Sequence, residues 1–351
     1  MGDATSIRAE ADRLQATFRA DGATPVEVDV LQPADVLLDL YGEDVRARAF
    51  VTQDPVRGEC MLRPDFTAPI ALRHLASGGA AARYTYAGKV FRQQESGSRR
   101  PAEFVQVGLE VFGEPGPQAD AEIFARFSDL LTGYTLRPMT GDIGLLAAAI
   151  DGLNTTPRRK AALRRHLWRP KRFRALLDRF SSSARRARPD AALIGRSPEI
   201  GLRSAEDVRT RLDALAEDAA AAPVATSEIE ALGTLMSIRE TMPNALAHLR
   251  QLTVDLPAIE PAVDRLATRM AALEATFGSV DALEFEVTYG RTTLEYYDGF
   301  VFGFLRADRP DLPPVASGGR YDALTRALGG TAAPAALGGV IRPALLLEAQ
   351  G

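Results

Sequence analysis

The chain has 351 residues, 46% of them hydrophobic and 25% charged, which suits two or three globular domains and excludes a disordered protein. Its formal net charge of -4 argues against a surface built throughout for nucleic acid. The single cysteine, Cys60, excludes an intramolecular disulfide framework and a cysteine-rich zinc site, and it is typical of a reducing cytoplasm.

The N-terminal segment Met1–Ser6 has neither the basic start nor the apolar centre of an export signal. No apolar run reaches the length of a membrane span. We therefore expect a cytoplasmic protein that is neither exported nor inserted into a membrane.

An amphipathic helix is the first predicted element, because apolar residues recur at helical spacing from Ile7 to Phe18. Thr5 or Ser6 is the expected cap, and Gly22 is expected to end the helix. Alternation of apolar and polar residues then predicts short strands at 26–30, 46–51 and 60–62.

Two longer strands, 82–92 and 104–112, are separated by a polar loop and predict an antiparallel hairpin. In the second strand, Gln106, Gly108 and Glu110 share one face, while the valines and Leu109 share the other. A carboxamide and a carboxylate on either side of a glycine would form the floor for a small cationic ligand, whose ammonium or imidazolium group would partner the buried carboxylate. The alternative is an ordinary sheet with one solvated face.

A helix at 119–131, a strand at 134–142 and a helix at 143–153 are predicted next. From Pro157 the composition changes: thirteen lysines and arginines between positions 158 and 188 accompany one acidic residue, Asp178. We interpret 157–280 as a helical insertion with a basic first half, between core segments 1–156 and 281–351. The basic half is either a surface for a phosphorylated or nucleic acid partner or a solvated helix face, and the acidic remainder of the chain favours the second reading.

Strands are predicted again at 283–287 and 294–305, followed by a tight turn and capped helix at 317–322 and a glycine-rich turn before an apolar segment at 332–349. The chain has no glycine-rich phosphate loop, dinucleotide fingerprint or nucleophile elbow. Its histidines, His74, His166 and His248, form no metal-binding pair. We therefore expect no cofactor, no metal and no catalytic residue.

Several segments, in order along the chain, resemble histidyl-tRNA synthetases. Residues 62–69, 86–92 and 104–113 are similar to motif 2 of that family and its surroundings, and 294–302 and 318–322 resemble its two histidine-recognition signatures. The resemblance covers roughly 5–145 and 283–345. It implies an α+β fold, with a class II aminoacyl-tRNA synthetase-like antiparallel sheet flanked by helices and a helical insertion.

Three departures from that family bear on activity. Thr292-Thr293-Leu294 stands where the synthetases have Arg-Gly-Leu, with Arg291 one position early, so that its side chain is expected on the opposite face. Arg342–Leu345 stands where Gly-Leu-Glu-Arg presents an ATP-binding arginine, and Pro343 is expected to disturb the helix there. The chain also ends where an anticodon-binding domain would begin.

A synthetase core with these departures resembles the regulatory subunits of ATP phosphoribosyltransferase, the first enzyme of histidine biosynthesis. The resemblance implies a non-catalytic subunit that dimerises within a hetero-oligomer, partners a short-form catalytic subunit and senses histidine as an allosteric effector. The alternatives are a ligase that adenylates histidine or a related amino acid, and a nucleic acid binding module, which the net charge disfavours.

The resemblance also implies a histidine-binding site made of acidic, polar, aromatic and basic side chains: Asp65, Thr67, Arg92, Gln106, Glu110, Tyr296, Tyr297, Arg320 and Tyr321. Asp65 and Glu110 would meet the charged nitrogens of the ligand, with Thr67 and Gln106 as hydrogen-bond partners. Asp65 stands where the synthetases usually have glutamate, and Phe66 where they have a small residue, so the affinity for histidine is expected to differ.

The remaining members of the implied site are aromatic or basic. Tyr297 and Tyr321 would bound the imidazole, and Arg92 would hold the ligand carboxylate. Tyr296 belongs either to the site or to the core, and Arg320 lies in the second signature.

Overall fold

The structure, a computed structural model, describes residues 3–35, 47–95, 97–98, 100–182, 204–291 and 296–349. The start of the predicted strand at 46, the departure at 292–294 and the end of the basic stretch at 185–188 lie outside these ranges. No helix among the described residues combines the length and the apolar character needed to cross a membrane.

Helices account for much of the described chain. In order they are α1 (Ala4–Ala20), α2 (Thr67–Ala76), α3 (Pro117–Leu130), α4 (Ile143–Gly152), α5 (Pro157–Arg165), α6 (Pro170–Ser181), α7 (Ala205–Ala220), α8 (Thr226–Ser237), α9 (Met242–Leu252), α10 (Glu260–Thr276), α11 (Asp322–Gly329) and α12 (Pro343–Glu348).

The strands form two sheets. In chain order they are β1 (Thr24–Pro25), β2 (Leu31–Pro33), β3 (Val51–Asp54), β4 (Gly58–Leu62), β5 (Ala82–Phe91), β6 (Glu103–Phe112), β7 (Arg137–Asp142), β8 (Arg239–Thr241), β9 (Glu284–Glu286), β10 (Phe300–Leu305), β11 (Ala316–Arg320) and β12 (Ala336–Ile341).

The larger sheet has the strand order β1-β5-β6-β12-β11-β10-β7-β9-β8, and β2-β4-β3 form the smaller one. All neighbours from β5 through to β7 run antiparallel. Helices flank this sheet, with α1 against β5 and β6 and α3 against β11 and β12. The predicted antiparallel sheet flanked by helices is confirmed.

The predicted hairpin is also confirmed, as β5 and β6 pair from Ala82 opposite Phe112 to Phe91 opposite Glu103. Both faces of β6 are buried, because Val107 is 0% exposed on one face and Glu110 is 1% exposed on the other. The alternative of an ordinary sheet with a solvated face is therefore wrong at β6.

The predicted cap of the first helix is wrong, although its end is confirmed. Asp3 caps α1, because its Oδ1 accepts from the backbone N–H groups of Thr5 at 2.8 Å and Ser6 at 2.9 Å. A carboxylate also carries the charge that a helix N-terminus favours. Gly22, with φ of 89°, directly follows the C-cap Asp21.

Four other predictions of local structure are wrong. Residues 47–48 are helical where a strand at 46–51 was predicted, and β3 begins only at Val51. Residues 26–30 lie between β1 and β2 and do not form a strand. The backbone N–H of Val26 donates to the carbonyl oxygen of Thr85 in β5.

Ser317, Gly318 and Gly319 lie in β11 instead of in a turn. Glycine is needed at 318 because a Cβ there would lie 2.3 Å from the carbonyl oxygen of Gly338 in β12. The glycines expected to form a turn at 332–349 are likewise part of β12.

Residues 157–280, the predicted insertion, contain α5 to α10 and also β8, which pairs with β9 at one edge of the larger sheet. The division of the chain into a core and an insertion stays a prediction.

Candidate functional site

A pocket of ≈ 330 Å³ of empty space lies above the polar face of β6. It is lined by Asp65, Thr67, Tyr86, Arg92, Gln106, Glu110, Tyr296, Tyr297, Tyr321, Gly338, Gly339, Val340 and Arg342. Eight of the nine predicted site residues are therefore brought together, and Arg320 is not among them.

The floor of the pocket is the middle of the larger sheet. Gln106 and Glu110 belong to β6, Tyr86 belongs to β5, and Gly338 of β12 pairs opposite Glu110. Thr67 is the first residue of α2. Because β6 is hydrogen-bonded to strands on both sides, the backbone that carries these side chains is held in place.

Three hydroxyl groups surround the carboxyl group of Glu110. Thr67 Oγ1 donates to Oε1 at 2.7 Å, the Tyr321 hydroxyl donates to Oε2 at 2.5 Å, and the Tyr86 hydroxyl lies 3.4 Å from Oε1. Burial raises the pKa of Glu110 to about 8, and the charge of Asp65 adds to this, although the hydroxyl bonds oppose it. Without a ligand the group is therefore largely neutral at pH 7.

Asp65 lies just before α2, where its Oδ1 is 3.5 Å from the backbone nitrogen of Ala68. It is 4% exposed, so two buried carboxyl groups face one small pocket. Both can accept hydrogen bonds from a cationic ligand group, whose charge would favour the ionised forms.

Tyrosines form one wall of the pocket. The ring centres of Tyr296 and Tyr297 lie 5.0 Å apart, and those of Tyr296 and Tyr321 lie 5.8 Å apart. The Tyr296 hydroxyl donates to Thr67 Oγ1 at 3.3 Å, so Tyr296 lines the pocket and also packs in the core. A flat ring can pack against this wall.

Phe66 lies behind the pocket instead of lining it. Its ring stacks on that of Tyr86 with 4.2 Å between centres, and Cζ of Arg63 lies 4.2 Å from the centre of the Phe66 ring. A large residue at this position therefore supports the tyrosine.

Two guanidinium groups line the pocket without a carboxylate partner among the described residues. Arg92 Nε donates to the carbonyl oxygen of Pro64 at 2.7 Å, and Arg342 Nη1 donates to that of Pro314 at 2.6 Å. Burial, followed by the charge of Arg92, lowers the pKa of Arg342 to about 10, which leaves Arg342 charged at neutral pH. Two neighbouring guanidinium groups can donate hydrogen bonds to an anion such as a carboxylate.

Arg342 was missed by the sequence analysis, which treated its motif as a lost contact. The expectation that Pro343 disturbs the following helix is wrong, because Pro343 is the first residue of α12, where its missing N–H is not needed. The arginine in the last synthetase-like motif was the signal that could have identified this residue.

Gly338 and Tyr86 were also missed. A Cβ on Gly338 would lie 1.8 Å from Glu110 Oε2, so glycine is needed opposite the carboxyl group. Tyr86 lies in the segment 86–92 that resembles motif 2 of the synthetases. The alternation of residues in β5 did not identify its contact with Glu110.

Arg320 is directed to a different part of the protein. Its Nε donates to Asp120 of α3 at 2.8 Å, and Asp120 also accepts from Arg269 of α10 at 2.9 Å. Arg269 donates in turn to Asp142 at 2.8 Å. Arg320 is thus part of a buried ionic network that joins β11, α3 and α10.

Arg291 does not line the pocket. This agrees with the expectation that its shift by one position directs the side chain to the opposite face. Its Nε donates to the carbonyl oxygen of Leu167, between α5 and α6.

Comparison with known proteins gives consistent results. The family model for histidyl-tRNA synthetase matches residues 2–340. Proteins named ATP phosphoribosyltransferase regulatory subunit from Mesorhizobium japonicum and Allorhizobium ampelinum are each 31% identical to this chain, over 89% of its length and 89% and 90% of theirs. A protein of the same name from Brucella canis is 29% identical, over 90% of both chains.

Solved structures share the fold. An ATP phosphoribosyltransferase regulatory subunit/histidyl-tRNA synthetase from Bacillus halodurans aligns with a TM-score of 0.71 at 22% identity, covering 99% of this chain and 79% of that one. A histidine–tRNA ligase subunit from Alicyclobacillus acidocaldarius aligns with a TM-score of 0.61 at 25% identity, covering 100% and 96%.

Proposed function

Because the chain belongs to the histidyl-tRNA synthetase family, and within it to the ATP phosphoribosyltransferase regulatory subunits, we propose that it binds histidine and regulates a short-form catalytic subunit. It is a non-catalytic component of the complex that performs the first step of histidine biosynthesis. We further propose that it dimerises within this hetero-oligomer.

The observation that carries the proposal is that carboxyl and guanidinium groups line the same small pocket. The carboxyl groups belong to Asp65 and Glu110, and the guanidinium groups belong to Arg92 and Arg342. A free amino acid carries an ammonium group and a carboxylate, and therefore offers a partner to both kinds of group.

The remaining lining residues favour histidine among amino acids. In our proposal Gln106 and Thr67 hydrogen-bond the ligand nitrogens, while Tyr297 and Tyr321 pack on either side of the imidazole. An imidazole can both donate and accept hydrogen bonds, so it suits a pocket in which hydroxyl and carboxyl groups surround aromatic rings.

Feedback follows from linkage between ligand binding and assembly. Histidine can inhibit the catalytic partner only if it binds more tightly to one state of the complex than to another. We place the complex in the cytoplasm, because the thiol of Cys60 is buried and free, as is typical of a reducing compartment.

Activity assays of the mixed complex test this proposal. Adding the chain to a short-form ATP phosphoribosyltransferase catalytic subunit should raise its turnover, and free histidine should lower the turnover of the mixture but not that of the catalytic subunit alone. The proposal fails if neither addition changes the rate.

A second candidate is a ligase that adenylates histidine, and the position of Arg342 in the pocket is the observation that favours it. Positioned cations stabilise the charge that develops in phosphate chemistry. Exchange of ATP with labelled pyrophosphate in the presence of histidine separates the two candidates. The regulatory proposal expects no exchange above the background without enzyme.

A further inference from the structure

The side chain of Tyr86 crosses the floor of the pocket above Gly108, its partner in β6. A Cβ on Gly108 would lie 2.3 Å from the hydroxyl oxygen of Tyr86, so glycine is needed there to leave room for this side chain. The ring therefore occupies the space between Gln106 and Glu110, and its hydroxyl donates to Oε1 of Glu110 at 3.4 Å. Whatever places the ring also places this hydroxyl.

Phe66 packs against the ring of Tyr86. The two rings are nearly parallel, with 14° between their planes and 4.2 Å between their centres. Phe66 is 2% exposed and directly precedes α2, yet it does not line the pocket. Its ring therefore reaches the site through Tyr86.

Arg63 holds the Phe66 ring in this place. Its Cζ lies over the ring, 4.2 Å from the centre, where the face of an aromatic ring attracts a cation. The guanidinium group is itself fixed, because Nε donates to the carbonyl oxygen of Lys89 at 2.9 Å and Nη1 donates to that of Val28. Arg63, Phe66 and Tyr86 thus form one row of packed side chains, which we call the Arg63 stack.

Gly88 of β5 leaves room for the Arg63 stack. A Cβ at this position would lie 2.9 Å from Nη2 of Arg63 and 2.9 Å from Cζ of Phe66, so both side chains would have to move. Gly88 does not line the pocket. A methyl group here would therefore shift the stack without touching a ligand.

We propose that Phe66, held by Arg63, is a positioning residue that sets the strength of histidine binding through the hydroxyl of Tyr86. This inference rests on the proposed function. A hydrogen bond to a carboxylate favours its ionised form, and an ionised Glu110 is the better partner for a cationic group of the ligand. A Tyr86 ring that moved away would leave the charged complex with one donor fewer.

A double-mutant cycle on histidine affinity tests the proposal. Phe66→Leu keeps an apolar side chain but removes the flat ring, whereas Tyr86→Phe keeps the ring but removes the hydroxyl. Each should weaken histidine binding by about fivefold, measured by calorimetry. The double variant should bind no more weakly than either single variant, because both changes remove the same contact.

Gly88→Ala disturbs the stack while Phe66 and Tyr86 are both present, so it decides the question even if Phe66→Leu does not fold. It should weaken histidine binding by about the same factor. Phe304→Leu is the matched control, since Phe304 is 3% exposed and stacks on Phe124 of α3, away from the pocket. Its histidine affinity should be that of the wild type.

A measurement without histidine separates the stack from the proposed function. The ionisation of Glu110 can be followed by carbon NMR of labelled carboxyl groups, with Glu110→Gln to identify the signal. The pKa of Glu110 should be higher in Tyr86→Phe and in Phe66→Leu than in the wild type, because the hydroxyl bond that favours the carboxylate is lost. The other groups that act on Glu110 are the same in all of these proteins: Asp65, Thr67, Tyr297 and Tyr321.

The proposal is overturned if the affinity losses of Phe66→Leu and Tyr86→Phe multiply in the double variant, or if Gly88→Ala binds histidine as the wild type does. It is also overturned if the pKa of Glu110 is unchanged in Phe66→Leu. If the wild type binds no histidine, the proposed function fails, and the pKa of Glu110 still decides whether Phe66 positions the hydroxyl.

Discussion

The hydroxyl group of Tyr321 lies 2.5 Å from Oε2 of Glu110, although the two residues are 211 positions apart in the chain. This bond joins the segment between β11 and α11 to the middle of β6. Both side chains are at least 99% buried, so the bond is shielded from water. The protonation state of Glu110 therefore affects the contact between two parts of the pocket.

The raised pKa of Glu110 predicts a specific dependence of stability on pH. The pKa is about 8 in the folded protein and near 4.5 when the chain is unfolded, so the folded state binds more protons between these values. The contribution of Glu110 to the free energy of unfolding is fully present below about pH 4.5 and is lost as the pH rises to about 8. The loss amounts to at most roughly 1.4 kcal/mol for each pH unit.

Denaturant unfolding of Glu110→Gln at pH 5 and pH 8 measures this effect. The variant should gain stability relative to the wild type as the pH rises, because glutamine cannot ionise. Glu217→Gln, on the surface beside Arg158, is the control and should follow the wild-type profile. Parallel profiles for Glu110→Gln and the wild type would contradict the prediction.

Histidine binding should release protons if the ammonium group approaches Glu110. The cation favours the ionised carboxylate, so with a pKa of about 8 the affinity should rise by up to about fivefold from pH 7 to pH 8. Titration calorimetry in two buffers of different ionisation enthalpy counts the protons released. A dissociation constant that is equal at both pH values would show that Glu110 remains neutral in the complex.

Arg342→Gln tests the anionic part of the pocket. Loss of one charged hydrogen bond should weaken histidine binding by about ten- to a hundredfold. Histidinol, which lacks the carboxylate, should bind the wild type and this variant with similar affinity. Arg164→Gln removes an exposed arginine from α5 and should change neither affinity. An equal loss for both ligands would assign Arg342 a structural role.

Gly338→Ala should disrupt the floor of the pocket. The new methyl group would lie 1.8 Å from Glu110 Oε2 and 2.9 Å from the carbonyl oxygen of Leu109, so the strands or the carboxyl group must move. We expect a loss of about 1–3 kcal/mol in the free energy of unfolding and loss of histidine binding.

Gly233→Ala is the matched control for this substitution. No atom lies within 4 Å of the position that the new methyl group would take in α8, so alanine should leave stability equal or slightly higher. Chemical denaturation compares both variants with the wild type. Equal stability of the Gly338 variant and the wild type would contradict the packing argument.

The sequence predicted much of the sheet and most of the pocket lining. Alternation in β6 identified the polar face that carries Gln106 and Glu110, because a strand has a side-chain period of two. The resemblance to synthetases added residues from distant segments, such as Asp65 and Tyr297. Local pattern alone would not have brought these segments together.

Other features depend on contacts between distant strands and could not be predicted locally. Gly318 and Gly319 fit either a turn or a closely packed strand, and the neighbouring strands decide between them. The partners of Glu110 are hydroxyl groups instead of a cation, and they come from α2, β5 and the end of β11. Arg320 was assigned to the site from its motif, yet its side chain belongs to the ionic network.

The neighbours Arg320 and Tyr321 connect two regions of the molecule. Tyr321 touches the pocket, while Arg320 shares Asp120 with Arg269 of α10. A ligand that displaced Tyr321 would therefore also strain the ion pair between its neighbour Arg320 and Asp120, which is buried and costly to break. We expect occupancy of the pocket to be felt in this way at α3 and α10.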